Sequence, residues 1–207
     1  MRRGIAIAGL LALLGALATA TSARAGGFGC GGVRQVVPQR SPFPGPAPLA
    51  VGDSVMLGAL DELAARGFVA NARGCRGLEE AIDLLRGLRR RGRLPRLVVV
   101  ALGANYALRE SQFAQLFRVL GRRRLVGLVT QRELGGGAGA DADLVRRMAR
   151  AHSRQAMLLD WVRHSAGRRG WFGGDGLHLT RPGAAAFARL LSRAIRAVRV
   201  VGTKSPG

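Results

Sequence analysis

Short apolar runs alternate with segments of helical periodicity from residue 48 onward. The runs predict five strands, at residues 49–51, 68–70, 97–102, 125–129 and 156–159. The third run is apolar at every position, which is typical of a parallel strand buried on both faces. Strands that alternate with helices predict an α/β fold in which helices cover both faces of a parallel sheet.

Between these runs, apolar residues recur every three or four positions, as on one face of a helix. The helical faces are marked by Met56, Leu60 and Leu63; by Leu78, Ile82, Leu85 and Leu88; by Phe113, Leu116, Phe117 and Leu120; by Leu144, Val145 and Met148; and, after Pro182, by Phe187, Leu191, Ile195 and Val198. Ligands bind parallel sheets at the carboxyl ends of the strands, so functional residues are expected directly after the predicted strands.

The chain begins with a pattern typical of an export signal. A positive start at residues 1–3 precedes a small and apolar run at 5–20, and Ala23-Arg24-Ala25 offers a cleavage site. The run falls short of the ~20 residues that span a bilayer, which favours cleavage over retention as an anchor. The predicted division is a signal peptide at 1–25, a Gly/Pro-rich extended leader at 26–46, one folded domain at 47–201 and a tail at 202–207. The mature protein is therefore expected to be secreted or periplasmic.

The formal net charge of +21 comes almost wholly from arginine, because Lys204 is the only lysine. Aromatic residues make up 5% of the chain, and none interleaves with the arginine runs at 89–91 and 122–124. Nucleic-acid binding by base stacking is therefore not expected. Attraction to an anionic envelope surface stays open.

Cys30 and Cys75 are the two cysteines of the chain. An exported protein can hold them as one disulfide, and two free thiols are the alternative. The sequence does not supply the distance that would decide between these states.

Two segments carry the residue types of nucleophilic catalysis. Gly52-Asp53-Ser54 follows the first predicted strand, where a serine hydroxyl is exposed at the sheet edge, although Asp and Ser also cap helices. Asp175 and His178 lie three residues apart in a glycine-rich loop before the last helix, so that the carboxylate can orient the imidazole toward a nucleophile. Asp160 and His164 form a rival pair, less favoured because no glycine-flanked turn exposes that imidazole.

Two further loops offer hydrogen-bond donors to a reacting oxygen. Asn105 follows the third predicted strand, and its side-chain amide can donate to an oxyanion. Gly74 follows the second strand and lets a backbone N–H approach a substrate. A simple turn role is the alternative for Asn105, since asparagine favours turns.

Together these four blocks, in this order, resemble the SGNH/GDSL hydrolases, and especially the extracytoplasmic SGNH domains attached to peptidoglycan O-acyltransferases. The resemblance covers residues 48–200. It implies a flavodoxin-like, three-layer αβα sandwich with a five-stranded parallel sheet, and ester chemistry without a metal or another cofactor. It also implies that Ser54 is the nucleophile, that His178 is the general base and acid, and that Asp175 orients His178.

The resemblance further implies an oxyanion hole made by the N–H groups of Ser54 and Gly74 and by the Asn105 side chain. Two departures from the family pattern concern the oxyanion hole and the substrate pocket. Cys75 follows Gly74 directly and could replace it as amide donor. The third block reads Gly-Ala-Asn-Tyr, where relatives usually carry Thr or Asn before the key Asn and often Gly or Asp after it, which leaves Asn105 in place but bears on the shape of the substrate pocket. The candidate substrate-pocket residues are Asp53, Cys75, Tyr106 and Trp171.

The function expected from the resemblance and the export signal is hydrolysis of O-acyl esters, chiefly acetyl esters, on cell-envelope carbohydrate by a monomer. One alternative is an O-acyltransferase that uses the same acyl-enzyme and receives acyl groups through a separate membrane partner. The other is a non-catalytic envelope-binding protein on the same fold.

Overall fold

A central six-stranded sheet organises the computed structural model, which describes residues 30–203 and, in the last helix, side chains as far as Val198. The strand order is β1-β3-β2-β4-β5-β6. All neighbouring strands are parallel except β1 and β3, which are antiparallel. The strands are β1 (Arg34–Val36), β2 (Leu49–Gly52), β3 (Val69–Ala72), β4 (Leu97–Ala101), β5 (Leu125–Val129) and β6 (Ala156–Leu159).

Helices cover both faces of this sheet. They are α1 (Ser54–Leu57), α2 (Leu60–Ala64), α3 (Leu78–Arg90), α4 (Glu110–Leu120), α5 (Ala142–Ala151), α6 (Trp161–His164) and α7 (Arg181–Thr203), with a 3-10 turn at Arg169–Trp171. One apolar core lies between the sheet and α1, α2 and α7. The other lies between the sheet and α3, α4 and α5. The predicted three-layer αβα sandwich is confirmed.

Strand β1 is the main difference from the expected architecture. It lies in the segment expected to be an extended leader, yet Arg34 pairs with Ala72 and Val36 with Ala70 at the edge of the sheet. A three-residue strand that is mostly exposed carries no hydrophobic pattern, so the sequence did not indicate it. The sheet therefore has six strands where five were expected, and the folded unit begins before residue 47.

The two ends of the chain bear on the other predicted boundaries. The predicted signal peptide lies outside the described residues. Helix α7 continues to Thr203, one residue beyond the expected start of the tail at 202. Within residues 30–203, no helix combines the length and hydrophobicity that crossing a bilayer requires.

Candidate active site

Ser54 lies at the sharp turn between β2 and α1. Asp53 caps that helix, because its Oδ1 accepts the Val55 N–H at 3.1 Å. Helix α1 has only four residues and is followed by the separate helix α2, so the single first helix expected from the apolar spacing is interrupted. The short helix leaves the half-buried Ser54 at the carboxyl edge of the sheet.

A continuous hydrogen-bonded chain joins Ser54, His178 and Asp175. The His178 Nε2 atom lies 3.0 Å from the Ser54 Oγ, and the His178 Nδ1 atom lies 2.5 Å from the Asp175 Oδ2. The carboxylate is an acceptor at neutral pH, so Nδ1 donates to Asp175 and Nε2 is free to accept the serine proton. This is the arrangement in which an imidazole serves as general base to a hydroxyl.

The carboxylate of Asp175 is fixed by its own loop. Its Oδ1 accepts the N–H groups of Leu177 and His178, each at 3.0 Å. The hydrogen bond to His178 is the largest of the effects that lower the pKa of Asp175 to about 2, and the two backbone bonds add to it. Asp175 is therefore ionised at neutral pH and favours the imidazolium that forms when His178 takes a proton.

Glycines allow this loop to pack tightly against the loop after β5. Gly176 has a φ of +69°, and a Cβ there would lie 2.8 Å from the Gly136 nitrogen. The Gly135 N–H donates to the Asp175 carbonyl at 2.8 Å. The glycine-rich sequence around Asp175 therefore has a packing reason as well as a conformational one.

The two predicted oxyanion-hole loops flank Ser54 on either side. Strand β2 lies between β3 and β4, and Gly52 pairs with Ala72 on one side and Ala101 on the other. Gly74 and Asn105 follow those two partners by two and four residues. Asn105 is exposed on its loop. The topology thus brings all the predicted oxyanion-hole residues to one sheet edge.

Cys30 and Cys75 form a disulfide with a Cα–Cα distance of 5.1 Å. It ties the start of the described chain to the loop after β3, and Cys75 adopts a φ of +53° there. A Cβ at Gly74 would lie 2.5 Å from the Cys30 carbonyl oxygen, so only glycine fits beneath that backbone. Gly74 thus has a structural reason to be glycine, separate from any part in the oxyanion hole.

Arg76 is a site-supporting residue that the sequence reasoning missed. Its buried Nη1 donates to the carbonyls of Gly52 and Asn71 at 3.2 and 2.9 Å. Its Nε bonds to Glu80 at 3.1 Å. The guanidinium therefore links the end of the serine-bearing strand to the Gly74 loop. The one feature of the sequence that could have indicated this role is the position of Arg76, two residues after the candidate oxyanion-hole residue Gly74.

One of the four pocket expectations, Asp53, needs correction. Asp53 is fully buried, and its second carboxylate oxygen accepts the Ala104 N–H at 3.4 Å, so it braces the Asn105 loop and does not line an open pocket. The thiol of Cys75 is consumed by the disulfide. Tyr106 is exposed and packs against Gly77. Trp171 stacks on Trp161 with ring centroids 5.7 Å apart, which joins it to the core.

The rival pair Asp160 and His164 does not assemble. The Asp160 carboxylate bonds to Thr130 and Arg146, both at 2.9 Å, and it caps α6 through the Arg163 N–H. Burial alone would raise the pKa of Asp160, but these hydrogen bonds lower it. His164 lies beside Trp161 and Trp171, outside any hydrogen bond to that carboxylate.

Asp53 should make the free energy of unfolding fall as pH rises from about 4 to about 6. Burial raises the pKa of Asp53 from 3.8 to about 6, against the lowering effect of its backbone hydrogen bonds. Between those values the folded state binds more protons than the unfolded state, so stability decreases with increasing pH, by roughly 3 kcal/mol in total. The lowered pKa of Asp175 acts with opposite sign and only below pH 4.

Denaturant unfolding at pH 4 and pH 7 measures this effect. In the Asp53→Asn variant, the free energy of unfolding should no longer fall between pH 4 and pH 7. In the control variant Asp61→Asn, which alters an exposed carboxylate, it should fall as in the wild type. If the free energy of unfolding fell equally in the wild type and in Asp53→Asn, the effect would not come from Asp53.

Comparison with known proteins identifies the fold. No protein-family model matches the chain. The chain is 30% identical over 152 residues to the peptidoglycan O-acetyltransferase OatA of Listeria monocytogenes, a match that covers 70% of this chain. It covers only 23% of that relative, so the chain spans about a quarter of the relative's length.

Solved structures share the same architecture. The C-terminal catalytic domain of OatA from Streptococcus pneumoniae superimposes with a TM-score of 0.63 at 20% identity, over 75% of this chain and 95% of that domain. A member of the lipolytic G-D-S-L family from Veillonella parvula gives 0.54 at 12% identity, over 72% of this chain and 97% of its own. The chain has the SGNH/GDSL hydrolase fold.

The fold implied by the resemblance of the four sequence blocks is thereby confirmed. In this SGNH/GDSL fold, Ser54 follows β2 and the Asp175–His178 loop precedes α7. The two segments are 124 residues apart in sequence and meet within hydrogen-bonding distance.

Proposed function

We propose that this protein is an exported serine esterase that cleaves O-acyl esters, chiefly acetyl esters, on cell-envelope carbohydrate. The observation that carries the proposal is the unbroken chain from Ser54 through His178 to Asp175, with distances of 3.0 and 2.5 Å. The likeness to a peptidoglycan O-acetyltransferase supports an acetylated envelope carbohydrate as the substrate class. The signal-like sequence at residues 1–25 supports an extracytoplasmic location.

The reaction proceeds through an acyl-enzyme. His178 Nε2 takes the proton of Ser54 as the Oγ attacks the ester carbonyl carbon. The tetrahedral intermediate collapses, the bond to the sugar oxygen breaks, and His178 returns its proton to that oxygen. Water, deprotonated by His178, then attacks the acyl carbon, and the acid leaves as Ser54 recovers its proton. Asp175 holds the imidazole in the required tautomer throughout.

The negative charge on the carbonyl oxygen needs donors in both tetrahedral intermediates. We assign these to the N–H groups of Ser54 and Gly74 and to the Asn105 side chain, with Cys75 N–H as the alternative to Gly74. Their loops follow the strands on both sides of β2, which supports the assignment. Such preorganised donors supply a large part of the stabilisation of the transition state in acyl transfer.

Transfer of the acyl group to a second sugar hydroxyl is the other candidate function. The likeness to the Listeria peptidoglycan O-acetyltransferase favours it. Both functions share the acyl-enzyme and differ in whether water or a saccharide accepts the acyl group. Adding an oligosaccharide acceptor to a p-nitrophenyl acetate assay separates them, because transfer yields an acetylated saccharide whereas hydrolysis yields acetate.

Covalent labelling tests the nucleophile directly. The catalytic domain from S. pneumoniae carries a methylsulfonyl adduct, so methanesulfonyl fluoride is a suitable probe. We expect it to inactivate this protein with one adduct, located by peptide mass spectrometry on Ser54. The Ser54→Ala variant should remain unlabelled, whereas replacement of the exposed Ser111 by alanine should not alter labelling. An adduct confined to another residue would refute the proposed nucleophile.

A further inference from the structure

A cavity of about 580 Å³ borders the loop that carries Asp175 and His178. Its wall includes the backbone of Gly173, Gly174 and Gly176, which immediately surround Asp175. Two residues of chain span at most about 7 Å, so the Gly176 side of this cavity lies that close to the Cα of His178. A carbohydrate that presents an ester to Ser54 is large enough to extend into this space.

Three arginines, Arg132, Arg168 and Arg169, line the cavity together with Ser165 and Phe172. None of the three pairs with a carboxylate among the described residues, and all twelve Asp and Glu residues of the chain lie in that part. Asp175, the nearest acid along the loop, already bonds to His178 and to two backbone N–H groups. The positive charge of the cavity is therefore not neutralised from within the protein.

Arg132 is the least exposed of these three arginines and is held by several contacts. Its guanidinium stacks over the Phe172 ring at 4.4 Å and donates to the Gly136 carbonyl and, at 3.1 Å, to the Ser165 hydroxyl. All its acceptors are neutral, and burial lowers the pKa of Arg132. A fixed, partly desolvated cation without an acidic partner favours an anion in the space beside it.

Arg168 and Arg169 are exposed, and the Arg168 guanidinium lies over the Trp171 ring at 5.6 Å, so the cavity combines one half-buried cation with two exposed ones. A cleft lined by charges of one sign focuses their field and raises the local concentration of an oppositely charged ligand. We propose that this cavity is a subsite for an anionic group, a carboxylate or a phosphate, on the acylated carbohydrate. The inference rests on the proposed esterase function and narrows its substrate to acidic saccharides.

The test compares three acetylated oligosaccharides of one backbone: a uronic acid form, a form with those carboxyls reduced to alcohols, and a phosphorylated form. We expect kcat/KM to be higher for at least one anionic form than for the neutral form. This preference is the ratio of kcat/KM for the anionic form to kcat/KM for the neutral form. In the Arg168→Gln/Arg169→Gln variant that ratio should fall by roughly fivefold to tenfold, as expected for the loss of two exposed cations. If the ratio falls more for the uronic acid form, the cavity binds a carboxylate; if it falls more for the phosphorylated form, the cavity binds a phosphate.

A variant of equal charge provides the control. Arg122 and Arg123 are exposed and precede β5, at the opposite edge of the sheet from Arg132. The Arg122→Gln/Arg123→Gln variant should keep the anionic preference, because it removes the same net charge away from the cavity. An equal loss in both variants, or no anionic preference in the wild type, would overturn the subsite.

Binding separates failure of the subsite from failure of the proposed function. Calorimetric titration of Ser54→Ala with the non-acetylated uronic acid and phosphorylated oligosaccharides requires no turnover. Binding that weakens with Arg168→Gln/Arg169→Gln and not with Arg122→Gln/Arg123→Gln would support the subsite even if no ester were cleaved. Ester cleavage without any such binding difference would leave the esterase intact and eliminate the subsite.

Discussion

Replacing Ser54 by alanine is expected to lower kcat/KM for p-nitrophenyl acetate by about 10³-fold or more. The substitution removes the hydroxyl oxygen that lies 3.0 Å from His178 Nε2, and so removes the atom that would form the acyl-enzyme. A loss of this size is typical when the nucleophile of a hydrogen-bonded triad is deleted. Steady-state hydrolysis, with substrate blanks subtracted, measures it.

The matched control is Ser111→Ala, which removes an exposed hydroxyl from the first turn of α4. It should retain wild-type turnover. The Ser54→Ala/His178→Ala double variant should be scarcely slower than Ser54→Ala alone, because residues that act as one unit lose their effects together. Equal rates in wild type and Ser54→Ala would show that Ser54 is not the nucleophile. If the rate loss of the double variant equalled the product of the two single losses, Ser54 and His178 would not act as one unit.

The strands that the sequence predicted well are those made wholly of apolar residues and glycine. The bounds of β5 and β6 agree with the expected 125–129 and 156–159, and β4 ends one residue before the expected 102. In β4 and β5 helices cover both faces, so nearly every position is buried and carries the signal, whereas β6 lies at an edge of the sheet and is marked by its apolar composition alone. Strand β1 lacks that signal because its stability comes from pairing with β3 at an exposed edge.

The sequence predicted which segments form the candidate site, but not the burial and contacts of their side chains. The order of strands places the loops after β2, β3 and β4 side by side, and the family resemblance supplied the roles of Ser54 and His178. Pattern alone could not show that Asp53 is buried as a cap, since a capping and a pocket-lining aspartate look alike in sequence. Arg76 was missed for the same reason, because only burial shows which arginine is structural.

The loop after β3 is held by two different anchors. Arg76 attaches its end to the Gly52 carbonyl through a buried hydrogen bond. The Cys30–Cys75 disulfide attaches its middle to the segment that leads into β1. Cys75 itself has a positive φ, a conformation that disfavours a non-glycine residue by roughly 1–2 kcal/mol. Tertiary contacts therefore maintain the backbone that would present an oxyanion donor to the substrate.

Removal of this disulfide should destabilise the protein by about 4 kcal/mol. The bridge spans 45 residues, and closing a loop of that size restricts the unfolded chain by about that free energy in the chain-entropy account. The Cys30→Ala/Cys75→Ala variant, compared with oxidised wild type by denaturant unfolding, measures the loss. Reductant should bring the wild type close to the variant and leave the variant unchanged. A difference below about 1 kcal/mol would mean that the pairing of β1 with β3 holds this edge without the bridge.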